Sequence, residues 1–147
     1  MPRRSLLENG APELADLVST AAFRTQLRRF LHRTEAVTAE AGLTAQRYDL
    51  LLMVKTAEGG KTTVSQLSES LDLSQQGVTE LVKRAVEAGL VRREKSAADG
   101  RVSLIELTRD GDRRLRRAFQ SLAEDRAEFA RALEHVRVAF SDSGASS

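Results

Sequence analysis

Three neutral polar side chains, Gln75, Gln76 and Thr79, follow Ser74 closely in the chain. A glutamine amide donates and accepts at once, so it can make a paired contact with an adenine edge. Lys83 and Arg84 come next, and Asp99-Gly100-Arg101 lies further on. Cations of this kind hold phosphate, and an arginine at a loop tip suits a narrow minor groove, where negative potential is enhanced. The available chemistry is recognition of a duplex by hydrogen bonds and charge. Support for catalysis is missing. There is no Cys, no nucleophilic triad arrangement and no phosphate-cradling Gly loop. His32 and His135 are too few and too far apart to argue for a metal site.

The elements that must position these residues can be read on either side of them. Ser74 can cap a helix that buries Val78, Leu81, Val82 and Ala85 and stops at Gly89. Gln75, Gln76, Thr79, Glu80 and Lys83 then share its free face. Upstream, Thr63-Val64-Ser65-Gln66 fits a capping box. It starts a short helix with Val64, Leu67 and Leu71 inward, and Asp72-Leu73 forms the turn. Downstream, Leu90–Lys95 and Val102–Leu107 read as strands, and the small polar stretch Ser96–Gly100 turns a hairpin between them. Helix, turn, helix and hairpin in that order spell a winged helix-turn-helix. In it Gln75, Gln76 and Thr79 are base-reading candidates. Ser74, Lys83, Arg84, Arg92, Arg93 and Lys95 are phosphate candidates, and Arg101 is the minor-groove candidate. Asp99 and Gly100 support the wing. The Asp99 carboxylate is expected to accept hydrogen bonds that orient Arg101, and one of the flanking cations could serve as a strut for it. Gly77 disfavours its helix by about 1 kcal/mol against Ala. It either permits close backbone approach to DNA or is neutral.

Composition is compatible with this reading without proving it. The chain has 147 residues, 41% of them hydrophobic, enough for a real core. Its formal net charge is only +2, so the distribution of charge matters more than the sum. Between Lys83 and Arg117 bases outnumber acids, and Arg dominates over Lys, which suits bidentate contacts. Without Cys, disulfides and thiol redox sensing are excluded. No apolar run reaches the ~18 residues of a membrane span, and no signal-peptide core follows Arg3 and Arg4, so a cytoplasmic protein is expected.

The flanks read as helices. After a loose arm at 1–11, a long helix over 12–40 carries two apolar stripes, one with Leu14, Leu17 and Ala21, the other with Phe23, Leu27, Phe30 and Val37. Gly42 ends it, Thr44 caps a second helix to about Ala57, and Gly59-Gly60 forces a turn. Lys61 to Thr63 is a short extended piece. Thr108 caps the last helix. There Leu115, Phe119, Leu122, Arg126, Phe129, Leu133, Val136 and Phe140 alternate by four and three, as in a coiled-coil seam. A 30-residue helix is ~45 Å long, longer than a small domain is wide. Part of the seam is therefore expected to bury against a second copy. The predicted organisation is a dimerisation helix at 12–40, a DNA-binding lobe at 43–108, a second dimerisation helix at 109–140 and a mobile tail at 141–147. The fold class is mainly α with a small β-hairpin wing. A winged-helix module for protein contacts is the competing reading.

Leu43-Thr44 before the Tyr48 helix, Leu67, Ser74, Val78-Thr79, Gly89-Leu90-Val91, Arg93, Asp99-Gly100-Arg101 and Leu107-Thr108-x-x-Gly111 form a spaced set. The set resembles the MarR (multiple antibiotic resistance regulator) family over roughly residues 12 to 125. The resemblance implies a homodimeric winged-helix repressor on a pseudo-palindromic operator, with recognition helix 74–88 and wing arginine Arg101. It also implies release by a small aromatic or anionic ligand, with Phe30, Arg47, Tyr48 and Leu52 as pocket candidates; core packing or a surface charge explains each of them equally well. A constitutive, ligand-free regulator is equally compatible with the sequence. Members end with a sixth helix that joins the first and fifth in the dimer. No Gly or Pro break appears between Asp112 and Phe140, so a single last helix is expected here instead.

Overall fold

The computed structural model describes residues 13–143. The expected arm at 1–11, Pro12 and residues 144–147 of the expected tail lie outside the described residues, as does the side chain of Phe140. The chain divides into two compact units, Thr34–Ala123 and the described parts of Met1–Arg33 with Glu124–Ser147.

The larger unit starts in helix α1 (Leu14–Glu40), whose C-terminal turns belong to it. Gly42, at φ +72°, ends that helix in the left-handed conformation. Helix α2 (Ala45–Thr56) begins where the Thr44 hydroxyl accepts from Arg47 N. Gly59 and Gly60 turn the chain at φ +66° and +70° into strand β1 (Lys61–Thr62). Helix α3 (Val64–Leu71) carries the complete capping box, with Gln66 N donating to Thr63 and Gln66 Oε1 accepting from Thr63 N. Asp72 closes α3 in the left-handed region at φ +51°, and helix α4 (Gln75–Glu87) starts at once under a Ser74 cap. Strands β2 (Val91–Lys95) and β3 (Ser103–Leu107) form the hairpin, and β1 adds to the free edge of β3, giving antiparallel order β1-β3-β2. Leu50, Leu51, Val54, Leu67, Val78, Val82, Leu90 and Ile105 are fully buried between these elements.

Two joints of this unit meet at one point. Helix α4 ends in a Schellman arrangement, with Gly89 N donating to Val86 O and Leu90 N to Ala85 O. Helix α5 (Arg109–Ser121) starts against it. Thr108 N donates to Leu90 O at 3.0 Å, the Thr108 hydroxyl donates to Gly89 O at 2.6 Å, and the same oxygen accepts from Gly111 N. A Cβ on Gly111 would lie 2.0 Å from the Leu90 carbonyl oxygen. The glycine is therefore required by close approach of two backbones.

The last helix differs from the sequence reading. It is two helices, α5 and α6 (Ala123–Ser143), separated at Leu122, which sits at φ −88° and ψ 5°. This conformation is open to any L-residue, so neither Gly nor Pro is needed to break the helix. Leu122 is 1% exposed, anchored in the core with Leu115 and Ala118. The expected continuous seam is cut there. Phe119 and Leu133 are exposed, and Phe129 belongs to the smaller unit, where its ring stacks on Phe30 with centroids 4.6 Å apart. The sixth helix is present, and residues 141–143 continue it, where a mobile tail was expected. No described helix is long and apolar enough to cross a membrane.

Gly111→Ala is expected to lower unfolding stability by ~2 kcal/mol or more in urea titration, because backbone rather than a flexible side chain must yield. Gly100→Ala, whose added Cβ meets nothing within 4 Å, should stay within ~0.5 kcal/mol of the parent. Ser74→Ala removes the oxygen that accepts Gly77 N at 3.0 Å, and should cost about 1 kcal/mol, with faster amide exchange confined to the first turn of α4.

Candidate nucleic-acid interface

Helix α4 is two-sided because of its apolar spacing. Val78, Leu81, Val82 and Ala85 face the core, which leaves Gln75, Gln76, Thr79, Lys83 and Arg84 exposed. Thr79 is exposed and donates its hydroxyl proton to Gln75 O at 2.8 Å, so its hydroxyl oxygen can still accept. Gln75 Nε2 reaches Ser65 Oγ on α3 only at 3.5 Å, the limit of a hydrogen bond, and Gln76 is exposed. Lys83 and Arg84 take part in no ion pair among the described residues. The absence of a side chain at Gly77 gives the Ser74 cap room, since a Cβ there would lie 3.2 Å from Ser74 Oγ.

The hairpin tip is held by its own polar groups. Ser96 Oγ accepts from Ala98 N and Asp99 N, and Val102 N donates to Asp99 O. Asp99 Oδ1 accepts from Arg101 N at 3.0 Å and stands 4.0 Å from Arg101 Nε. The aspartate thus fixes the backbone of the arginine while the Arg101 side chain stays 96% exposed. Gly100 is at the tip, but neither a positive φ nor a close neighbour requires glycine there. Among the described residues no flanking cation pairs with Asp99 apart from Arg101, so the expected strut is absent.

The hairpin cations divide into two groups. Arg93 and Lys95 are exposed and outside any ion pair among the described residues. Arg92 was grouped with them as a phosphate candidate, but its Nε lies 2.6 Å from Glu106 Oε1, and that hydrogen bond holds the guanidinium above its ordinary pKa. Lys61, which the sequence reading left as part of an extended piece, lies 2.7 Å from Glu94 Oε2. The contact holds the Glu94 carboxyl below its ordinary range and the Lys61 ammonium above its own. Lys61, Glu94 and Glu106 carried no sequence signal of this role, because strand register alone brings them together.

The four pocket candidates are divided between the two units. Tyr48 is 6% exposed within the core, and Arg47 and Leu52 are half-buried on the same helix. Phe30 belongs to the smaller unit. There it lines a pocket of about 530 Å³ with Gln26, Arg29, His32, Arg33 and Phe129. Arg33 Nε lies 3.1 Å from Asp125 Oδ1 at its wall. Among the described residues no group of three or more His, Asp or Glu side chains is placed to hold a metal ion.

Residues 41–102 match the sequence profile of the MarR family. An uncharacterized HTH-type transcriptional regulator of Bacillus subtilis, YhbI, is 34% identical over 74 residues, which is 50% of this chain and 48% of that protein. The chain thus spans about half the length of the curated relative it matches. Among solved structures, AbsC, a MarR family transcriptional regulator from Streptomyces coelicolor, superposes with TM-score 0.69 at 24% identity, over 88% of this chain and 99% of that one. A mutant of E. coli MarR complexed with operator DNA gives TM-score 0.69 at 16% identity, over 89% and 98% of the two chains. Wild-type E. coli MarR in its apo form gives TM-score 0.66 at 19% identity, over 84% and 86%. The chain has the fold of these regulators, and its residues 41–102 are similar to the MarR family.

Proposed function

We propose that the protein is a dimeric transcriptional regulator that reads double-stranded DNA by sequence and represses from a pseudo-palindromic operator. The observation that carries this reading is the pairing, within one compact unit, of an exposed neutral polar helix face with an exposed wing arginine. Gln75, Gln76 and Thr79 supply base-edge hydrogen bonds from the N-terminal turns of α4, where a recognition helix meets the major groove. Ser74, Lys83, Arg84, Arg93 and Lys95 supply phosphate contacts, which set register without reading sequence. Arg101 supplies the minor-groove contact. The fold is shared with a protein solved on operator DNA. A second copy is called for by the apolar residues Leu14, Leu17, Val18 and Leu31, which α1 leaves 52–76% exposed. Two half-sites about one helical turn apart then match a two-fold protein.

A ligand-responsive form of this regulator is favoured by the Phe30 pocket. Its volume suits a small molecule, a stacked pair of aromatic rings lines it, and Arg28, Arg29 and His32 outnumber Glu128 beside the Arg33–Asp125 pair. That chemistry fits a small aromatic carboxylate. A ligand that lowers DNA affinity must bind less well to the DNA-bound protein by the same factor.

Titration into duplex DNA from its own promoter, beside a scrambled duplex, is expected to give a specificity ratio of ~10³ or more and steep loss of affinity with salt. Arg101→Ala should weaken specific binding by ~1–3 kcal/mol with unfolding stability unchanged. Equal weak binding to both duplexes, independent of Gln75 and Gln76, would favour a protein-binding module instead. With the bound complex in hand, a panel of small aromatic carboxylates should contain at least one that releases DNA from the parent and fails to release it from Phe30→Ala. A panel without effect on the parent identifies the constitutive form.

A further inference from the structure

The outer face of the wing sheet carries a row of charge that DNA contact does not explain. Lys61 stands opposite Glu106 across β1 and β3, and Arg92 stands opposite Glu106 across β2 and β3. Directly opposed residues share a face, so these three line up across the sheet with Glu106 on the central strand. Ile105, next along β3, points the other way and is fully buried. Arg92 closes onto Glu106, as described above. Lys61 does something different. Its Nζ lies 4.0 Å from Glu106 Oε2 but 2.7 Å from Glu94 Oε2. Glu94 is on β2, which is not a hydrogen-bonded neighbour of β1. The lysine therefore crosses β3 and ties together strands two spacings apart, ~10 Å.

The two ends of this tie are held differently. At the Lys61 end the backbone pairs with β3, and the next residues lock it down. Thr62 is 3% exposed and donates its hydroxyl to Gln66 Oε1, which also accepts from Thr63 N in the capping box of α3. At the Glu94 end the hairpin runs out past the reach of β1, whose pairings stop at Ile105, whereas Glu94 pairs with Leu104. Beyond that point, among the described residues, the wing is held by the pairing of its own two strands.

We infer that Lys61 is a positioning residue for the wing, a strap from the helical body over β3 to Glu94 that sets where Arg101 stands. Its consequence for affinity rests on the DNA-binding reading, but the strap itself does not. The Lys61–Glu94 pair is exposed and contributes little to overall stability, so the effect belongs to wing placement rather than to folding.

Because the chain has no native Cys, a single nitroxide on Ala97→Cys reports the wing loop alone. In DNA-free protein, Lys61→Met is expected to sharpen the spectrum of that label while the thermal midpoint stays put, and Lys61→Arg is expected to restore the parent line shape. An unchanged line shape in Lys61→Met overturns the strap. On specific duplex, Lys61→Met is expected to bind about tenfold more weakly, with little further loss when added to Arg101→Ala. Losses that simply add would overturn the positioning role and make Lys61 a phosphate contact in its own right. If the parent does not distinguish specific from scrambled duplex, the DNA-binding reading fails, and the label still decides the strap.

Discussion

The close approach of Gly111 to the Leu90 carbonyl is the constraint on which the rest of the winged unit depends. Four segments meet there: the end of α4, the start of β2, the end of β3 and the start of α5. Thr108 serves all of them through one hydroxyl, which donates to the Gly89 carbonyl and accepts the Gly111 amide. Backbone-to-backbone contact of this kind is stiff, since no rotamer can relieve it. The orientation of α4 and the root of the hairpin are thereby fixed to each other. A helix that reads one groove and a loop that reads the next must keep a set separation. The joint supplies it at the root, but it controls the tip only as far as the strands are rigid.

Charge on the wing is divided between holding and offering. Glu106 and Glu94 take up Arg92 and Lys61, whereas Arg93, Lys95 and Arg101 remain exposed. A count of basic residues along the hairpin therefore overstates its electrostatic reach. The paired residues give up part of their field at a distance but gain geometry. Asp99 follows the same logic at the tip. Its carboxylate opposes phosphate, yet its hydrogen bond to Arg101 N fixes the backbone from which the guanidinium projects. In both places an acid near the proposed nucleic-acid surface is explained by what it positions.

The legible parts of this fold are those whose cause is local in the chain. Thr44, Thr63, Ser74 and Thr108 all cap helices through an amide three residues on, so their spacing alone reveals them. Gly42, Gly59, Gly60 and Gly89 mark left-handed turns for the same reason. The order of elements in the winged unit follows from these marks, and so do the exposed positions on α4. The break at Leu122 was not legible. It needs no special residue, and the four-three pattern of apolar side chains continues through it while serving two different units. The Lys61–Glu94 tie was also hidden, because β1 is two residues long and its partner strand lies more than forty positions away. Phe30 could be named through the family resemblance, but its stacking on Phe129 depends on a helix that the sequence pattern merges with another.

The division of labour has a consequence for specificity. With a net charge of only +2 and part of the wing's cations neutralised in place, attraction to phosphate is modest for a chain of this size. Glu80 and Glu87, exposed on α4 itself, lower it further. A surface of this kind gains less from any duplex than a uniformly basic one would. Discrimination rests on the difference between specific and non-specific binding, from which the shared electrostatic term cancels, so it must come from contacts made only on the specific site. On the proposed reading, the neutral side chains of Gln75, Gln76 and Thr79 then decide where the protein stays. They can do so only if the helix is held at the correct depth and angle, which returns the burden to the joint at Gly111.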